Sequence, residues 1–152
     1  MSYEQLKLHN QLCFPLYAAS RLVTREYQPF LDKLGITYPQ YLVLLVLWES
    51  DRQSVNEISQ KLILNTNTIT PLLKRMESQG LISRIRSEKD ERKVEIALTQ
   101  KGKQLEDEAS TIPTQLADGL MNSTMNKEEL LDLKSKLHQL ISFLNLKEEK
   151  SV

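Results

Sequence analysis

The sequence predicts a mainly α-helical fold carrying one small β-hairpin, on three observations. Apolar residues recur at helical spacing along most of the chain, and the period switches to two only within Leu81–Leu98. Four glycines and five prolines in 152 residues leave little material for a turn-rich all-β fold. The length suits one domain, by the rough prior of ~100–200 residues per domain. A composition of 40% hydrophobic and 26% charged residues excludes wholesale disorder. The longest apolar run, Tyr41–Trp48, is eight residues, against the ~20 needed to cross a bilayer. The first residues carry neither a basic start nor an apolar stretch of signal-peptide type. A cytoplasmic protein with no membrane association is expected.

The elements follow in order. The first helix is expected over about residues 4–34, with Leu12, Leu16, Ala19, Val23, Phe30 and Leu34 on one face. Pro15 kinks it or marks a restart, and Gly35 stops it. Thr37-Tyr38-Pro39-Gln40 reads as a capping box with proline in the first turn. The helix it opens is apolar nearly all round from Tyr41 to Trp48, so it should be buried. Ser54-Val55-Asn56-Glu57 is a second capping box, opening a short helix to about Leu62. Another helix runs from about Thr66 to Gln79 and stops at Gly80; Pro71 points to a late start near Thr68 or a bent first turn. Leu81–Arg86 and Lys93–Leu98 are short β-prone runs joined by the charged tip Ser87–Arg92. A helix from about Thr99 to Met121, bent at Pro113, and one from about Lys127 to Leu146, capped by Asn126, complete the chain. On the last, Leu130, Leu133, Leu137, Leu140 and Leu144 alternate in steps of three and four, a seam that needs a partner helix in this chain or a second subunit.

A short capped helix, a turn, a second helix and a charged hairpin form the layout of a winged helix-turn-helix, here about residues 37–98. Dimerisation helices are expected at about 4–34 and 99–147. In such a fold the second helix lays its first turns against base edges of the major groove. Thr66, Asn67, Thr68 and Thr70 stand there, with Lys74 and Arg75 one turn on for phosphate. The hairpin tip would carry Lys89, Arg92 and Lys93 toward the neighbouring groove, with Arg86 and Asp90 also counted among the DNA-binding residues; the negative potential of the minor groove attracts a weakly hydrated arginine. The net charge of zero argues against nucleic acid, but its distribution does not: residues 74–101 hold eight basic and five acidic groups, and residues 102–152 hold six and nine. The competing reading makes the hairpin a solvated loop and the threonines ordinary caps.

The stretch LILNTNTITPLLKRMESQGLISRIRSEKDERKVEIAL at residues 62–98 resembles the core of the MarR family of bacterial transcription regulators. The segment QLCFPLYAASR at 11–21, with Tyr27-Gln28-Pro29 and the run from Leu34 to Tyr41, is similar to the family's organic-hydroperoxide-sensing branch. Where relatives show Asp-Ser-Gly-Thr entering the recognition helix, this chain has Asn65-Thr66-Asn67-Thr68, which implies a different base readout. The resemblance implies a homodimeric repressor of double-stranded DNA with a pseudo-palindromic operator, induced by an organic hydroperoxide. It implies that Cys13 is the redox-sensing thiol and that Tyr27 and Tyr38 hydrogen-bond its sulfur across the dimer, with Tyr17 nearby. It also implies that Asp90 and Arg92 are paired wing residues, the arginine entering the minor groove.

The chemistry of the residues agrees. A thiolate is the nucleophile toward a peroxide, and phenol donors stabilise the charged form. A one-cysteine chain cannot resolve a sulfenic acid by an internal disulfide; it must pair with a low-molecular-weight thiol, join Cys13 of another subunit, or overoxidise. Against this stands the general rule that a lone cysteine in an amphipathic helix is more often inert filling. His9, four residues before Cys13, shares its helical face but suits a solvent position, and Cys13, His9 and His138 lack metal-ligand spacing. No metal or cofactor is expected. Two rivals remain: a regulator of the same family released by a small aromatic ligand, and a thiol peroxidase, which the absence of a second thiol disfavours.

Overall fold

Pro15 lies in the first turn of the first long helix, where amide donors have no partner in any case. The computed structural model, which describes residues 3–121 and 125–149, begins with two 3-10 turns, Glu4–Leu6 and Leu8–Asn10, and then α1, Cys13–Leu34. The proline therefore marks a restart, and the helix expected from residue 4 starts at Cys13. Gly35 ends it in the left-handed region at φ 67°, where a glycine carries no Cβ penalty.

α2 (Tyr38–Glu49) opens as the sequence predicts: the Gln40 side chain accepts the Thr37 N–H at 2.9 Å. Its residues Tyr41, Val43, Leu44, Val46 and Leu47 are buried, making it the centre of the core. α3 (Val55–Leu62) carries the second capping box, with Glu57 accepting the Ser54 N–H at 2.7 Å. That hydrogen bonding holds the Glu57 carboxyl below its usual pKa. α4 (Thr66–Ser78) starts at Thr66 because the Asn65 side chain accepts the Thr68 N–H at 3.0 Å. The late start that Pro71 suggested does not occur; a good cap outweighs one missing donor a turn later.

The sheet has three antiparallel strands in the order β1-β3-β2: β1 (Gln53–Ser54), β2 (Ile82–Arg86) and β3 (Val94–Leu98). β2 pairs with β3 from Ile82↔Leu98 to Arg86↔Val94. β1, unforeseen from sequence, pairs Gln53 with Ile96 and Ser54 with Glu95.

The helix expected over 99–121 is two, α5 (Gln100–Ala109) and α6 (Ile112–Met121). The break falls at Ser110 and Thr111, so Pro113 opens a new helix instead of bending an old one. α7 (Lys127–Glu149) is capped by Asn126, which accepts the Glu129 N–H at 3.0 Å. Part of the region expected to dimerise, residues 122–124, lies outside the described residues. The chain divides into two compact units, Met1–Ile112 and Pro113–Val152. In the first, α2 is enclosed by α1, α3, α4 and α5. In the second, Leu131, Leu133, Leu140, Ile141, Phe143 and Leu144 of α7 are exposed. No single helix among the described residues is long and apolar enough to cross a membrane.

Candidate functional site

α4 turns one face inward and leaves the other to solvent. Ile69, Leu72, Leu73 and Met76 are buried, while Thr66, Asn67, Thr68, Lys74 and Arg75 are exposed and Thr70 is half-buried. This division follows from helical period alone, since the four apolar residues are spaced three, one and three. Thr66, Thr70 and Lys74 stand at successive steps of four and share a stripe. The Thr68 hydroxyl is engaged in the cap, donating to Asn65 Oδ1 at 3.0 Å. Arg84 of β2 reaches Glu77 at 3.3 Å and ties the helix to the hairpin.

The hairpin loop is a folded turn. The Ser87 N–H donates to the Lys93 carbonyl at 2.9 Å, and the Lys93 N–H to the Asp90 carbonyl at 2.9 Å. The Asp90 carboxylate accepts the Arg92 N–H at 3.1 Å. The contact between Asp90 and Arg92 is a turn hydrogen bond to the Arg92 backbone and does not involve its guanidinium. The Arg92 guanidinium makes no ion pair among the described residues and projects from an exposed position. Arg86, Lys89 and Asp90 are exposed around it. The first unit therefore offers small hydroxyls and an amide on the exposed face of a helix, and on a folded turn a guanidinium without an ion pair among the described residues. Groove edges and phosphates are read by that chemistry.

Cys13 is the first residue of α1 and is exposed. Tyr17, one turn on, is also exposed, and the Arg21 guanidinium lies 5.3 Å from its ring centroid. Tyr27 is fourteen positions further along the same helix, about 21 Å at ~1.5 Å per residue, so one chain does not bring Cys13 to Tyr27. What the fold does bring together is Tyr27 and Tyr38, with ring centroids 5.0 Å apart. Tyr41 completes a triangle at 5.8 and 6.3 Å, and Trp48 continues it at 6.2 Å. Burial raises the pKa of Tyr27, Tyr38 and Tyr41; neighbouring phenols add to the shift at Tyr27 and Tyr41. All three remain protonated hydrogen-bond donors at neutral pH. In the sequence Tyr41 reads as part of the buried run of α2 and not with the two phenols, although its place three residues after Tyr38 puts both on one helical face.

A known family model, described as transcriptional regulator SarA/Rot, matches residues 25–109. The chain is similar to the organic hydroperoxide resistance transcriptional regulator of Bacillus subtilis. The two are 51% identical over 145 residues, 95% of this chain and 97% of that protein. Among solved structures it is similar to AbfR of Staphylococcus epidermidis. Reduced AbfR bound to DNA is 39% identical, covering 93% of this chain and 96% of that one, with a TM-score of 0.72. Disulfide-formed AbfR is 41% identical, covering 91% and 95%, with a TM-score of 0.58.

Proposed function

The chain belongs to the MarR-type family of winged-helix, DNA-binding transcription regulators, in its organic-hydroperoxide branch, and from that premise we propose that it is a cytoplasmic homodimeric repressor whose operator is released when Cys13 is oxidised. The observation that carries this reading is the position of the chain's one thiol. Cys13 is exposed on a stretch of α1 where Leu12, Phe14, Leu16 and Leu22 are exposed too. Exposed apolar side chains of that kind are what a second copy would cover.

The chemistry balances with the hydroperoxide as sole oxidant. The Cys13 thiolate attacks the terminal oxygen of ROOH, the S–O bond forms and the O–O bond breaks. The leaving alkoxide takes one proton to become ROH, and the sulfur is left as a sulfenic acid, oxidised by two electrons. Condensation with a low-molecular-weight thiol or with Cys13 of a second copy then forms a disulfide and releases water. Forming the sulfenic acid consumes one hydroperoxide, and the chain has no second thiol to return the sulfur to its reduced state, so we assign it no peroxidase activity. Operator binding with and without an organic hydroperoxide, followed by intact mass, tests the reading. Release together with a gain of one or more oxygens, one thiol adduct, or a disulfide-linked pair of chains is expected; undiminished binding by fully oxidised protein would refute it.

The DNA side has its own expected result. We assign Thr66, Asn67, Thr68 and Thr70 to base edges, and Lys74, Arg75, Arg86 and Lys89 to phosphates. Arg92, presented by Asp90, is assigned to the minor groove. Arg92→Ala should weaken operator binding severely with the circular dichroism unchanged. Lys74→Ala should weaken all sequences alike and lower the salt slope by roughly one unit.

For assembly, the exposed leucines of α7 and of the start of α1 predict a two-fold dimer, with recognition helices ~34 Å apart on a near-palindromic site. Light scattering at micromolar concentration checks it, and a monomer there contradicts it.

A second reading, release by a small aromatic ligand, is favoured by an open cleft of about 880 Å3 in the first unit. Ile36, Pro39, Leu42 and Leu72 line it, together with Thr68 and Arg75 of α4. Dissociation of Cys13→Ser protein from DNA by a phenolic acid would support it.

A further inference from the structure

β3 is the middle strand of the sheet, yet on one side its partner β1 is only two residues long and reaches no further than Ile96. The Leu98 N–H, two positions on, has no strand opposite it. The carboxylate of Asp51 takes its place: Oδ1 accepts the Leu98 N–H at 2.8 Å. Arg52 aims this carboxylate. It turns the chain through the left-handed region at φ 60° and donates its own N–H to the same Oδ1 at 2.9 Å. Its guanidinium lies 3.3 Å from Glu88, inside the hairpin loop. The other Asp51 oxygen lies 3.5 Å from Lys103 Nζ of α5. The turn between α2 and α3 therefore grips the hairpin twice, at the strand that leaves it and at the loop that crowns it.

We propose that Asp51 is a positioning residue for operator binding: its side chain stands in for a missing strand and fixes the angle at which the hairpin presents Arg92. Asp51 itself touches no DNA in this assignment. The proposal rests on the reading of the hairpin as a DNA-contacting wing, and the test separates the two.

Operator affinity is measured by fluorescence anisotropy for Asp51→Ala and Asp51→Asn in full-length protein, each with and without Arg92→Ala, alongside thermal melts. Asp51→Ala removes the acceptor and should weaken operator binding about tenfold, in line with the loss of one charge-assisted hydrogen bond. Asp51→Asn keeps an oxygen at the same place and should restore affinity to within about twofold. In the Arg92→Ala background Asp51→Ala should add almost nothing, because the guanidinium it positions is gone; a merely structural defect would add in full. Should Asp51→Ala fail to fold, Asp51→Glu, which displaces the acceptor by one methylene, enters the same cycle. Parent-like affinity for Asp51→Ala, or an equal loss in both backgrounds, overturns the proposal while leaving the wing intact. An Arg92→Ala protein that binds like the parent overturns both.

Discussion

Cys13→Ser is expected to bind the operator as tightly as the parent and to remain bound in organic hydroperoxide. Serine differs from cysteine by one atom and keeps the size of the side chain, and the position is exposed at the start of α1. Fold and DNA surface should be untouched. What is lost is the nucleophile, since a hydroxyl at neutral pH does not attack a peroxide oxygen. Tyr27→Phe and Tyr38→Phe should give graded forms of the same defect. Burial keeps both phenols protonated, so each removes a donor that the assignment places against the sulfur of a second copy. Operator binding should persist and release should slow. Only a small misfit is needed for release, because a dimer that cannot seat both halves forfeits much of its two-site advantage. Release of Cys13→Ser as readily as the parent would move the trigger to the cleft beside α4.

The largest loss of stability is expected from Gly102→Ala. A Cβ on Gly102 would lie 2.2 Å from the Leu81 carbonyl oxygen and 3.1 Å from Leu98 Cδ2. That carbonyl has no freedom to retreat, because it accepts both the Thr99 N–H and the Thr99 hydroxyl at 3.1 Å. Gly102 itself is held from two sides: its N–H donates to Thr99 Oγ1 at 3.1 Å, and its carbonyl accepts the Trp48 indole N–H at 2.9 Å. Alanine gains ~1 kcal/mol in helix propensity over glycine, but the overlap should outweigh it, for a net cost of roughly 3 kcal/mol. At this chain length that lowers Tm by about 10 °C. A variant melting within ~2 °C of the parent would show that α5 slides along β2 without penalty.

The elements legible in the sequence are those whose signals are local. Both capping boxes, Gly35, Gly80 and the hairpin lie where residue type and spacing place them, because each depends on contacts within a few residues. β1 was not legible: two residues show no period, and its existence depends on β3 forty positions away. The break between α5 and α6 was misplaced for a related reason. A proline within a helical pattern suggests a bend, whereas Pro113 occupies the first turn of the next helix. For the site, the exposed face of α4 could be read from period. The resemblance named Tyr27 and Tyr38 together, as phenols on a sulfur, but their ring packing with Tyr41 could not be read, since it requires α1 and α2 to pack with their rings facing. Asp51 gave no signal either; an Asp-Arg pair in a polar turn looks like any solvated loop.

One thiol per chain has an arithmetic consequence. In the proposed dimer each particle would carry two sensing thiols, and modification of one would be enough to spoil the fit of both halves. The share of particles with neither sensor modified falls as the square of the share of thiols still reduced. Derepression would therefore run ahead of the chemistry, with transcription opening while most of the protein's sulfur is still intact. In the proposed dimer, with Cys13 on the face between the copies, sensitivity would thus come from stoichiometry alone, with no second cysteine and no change in reactivity.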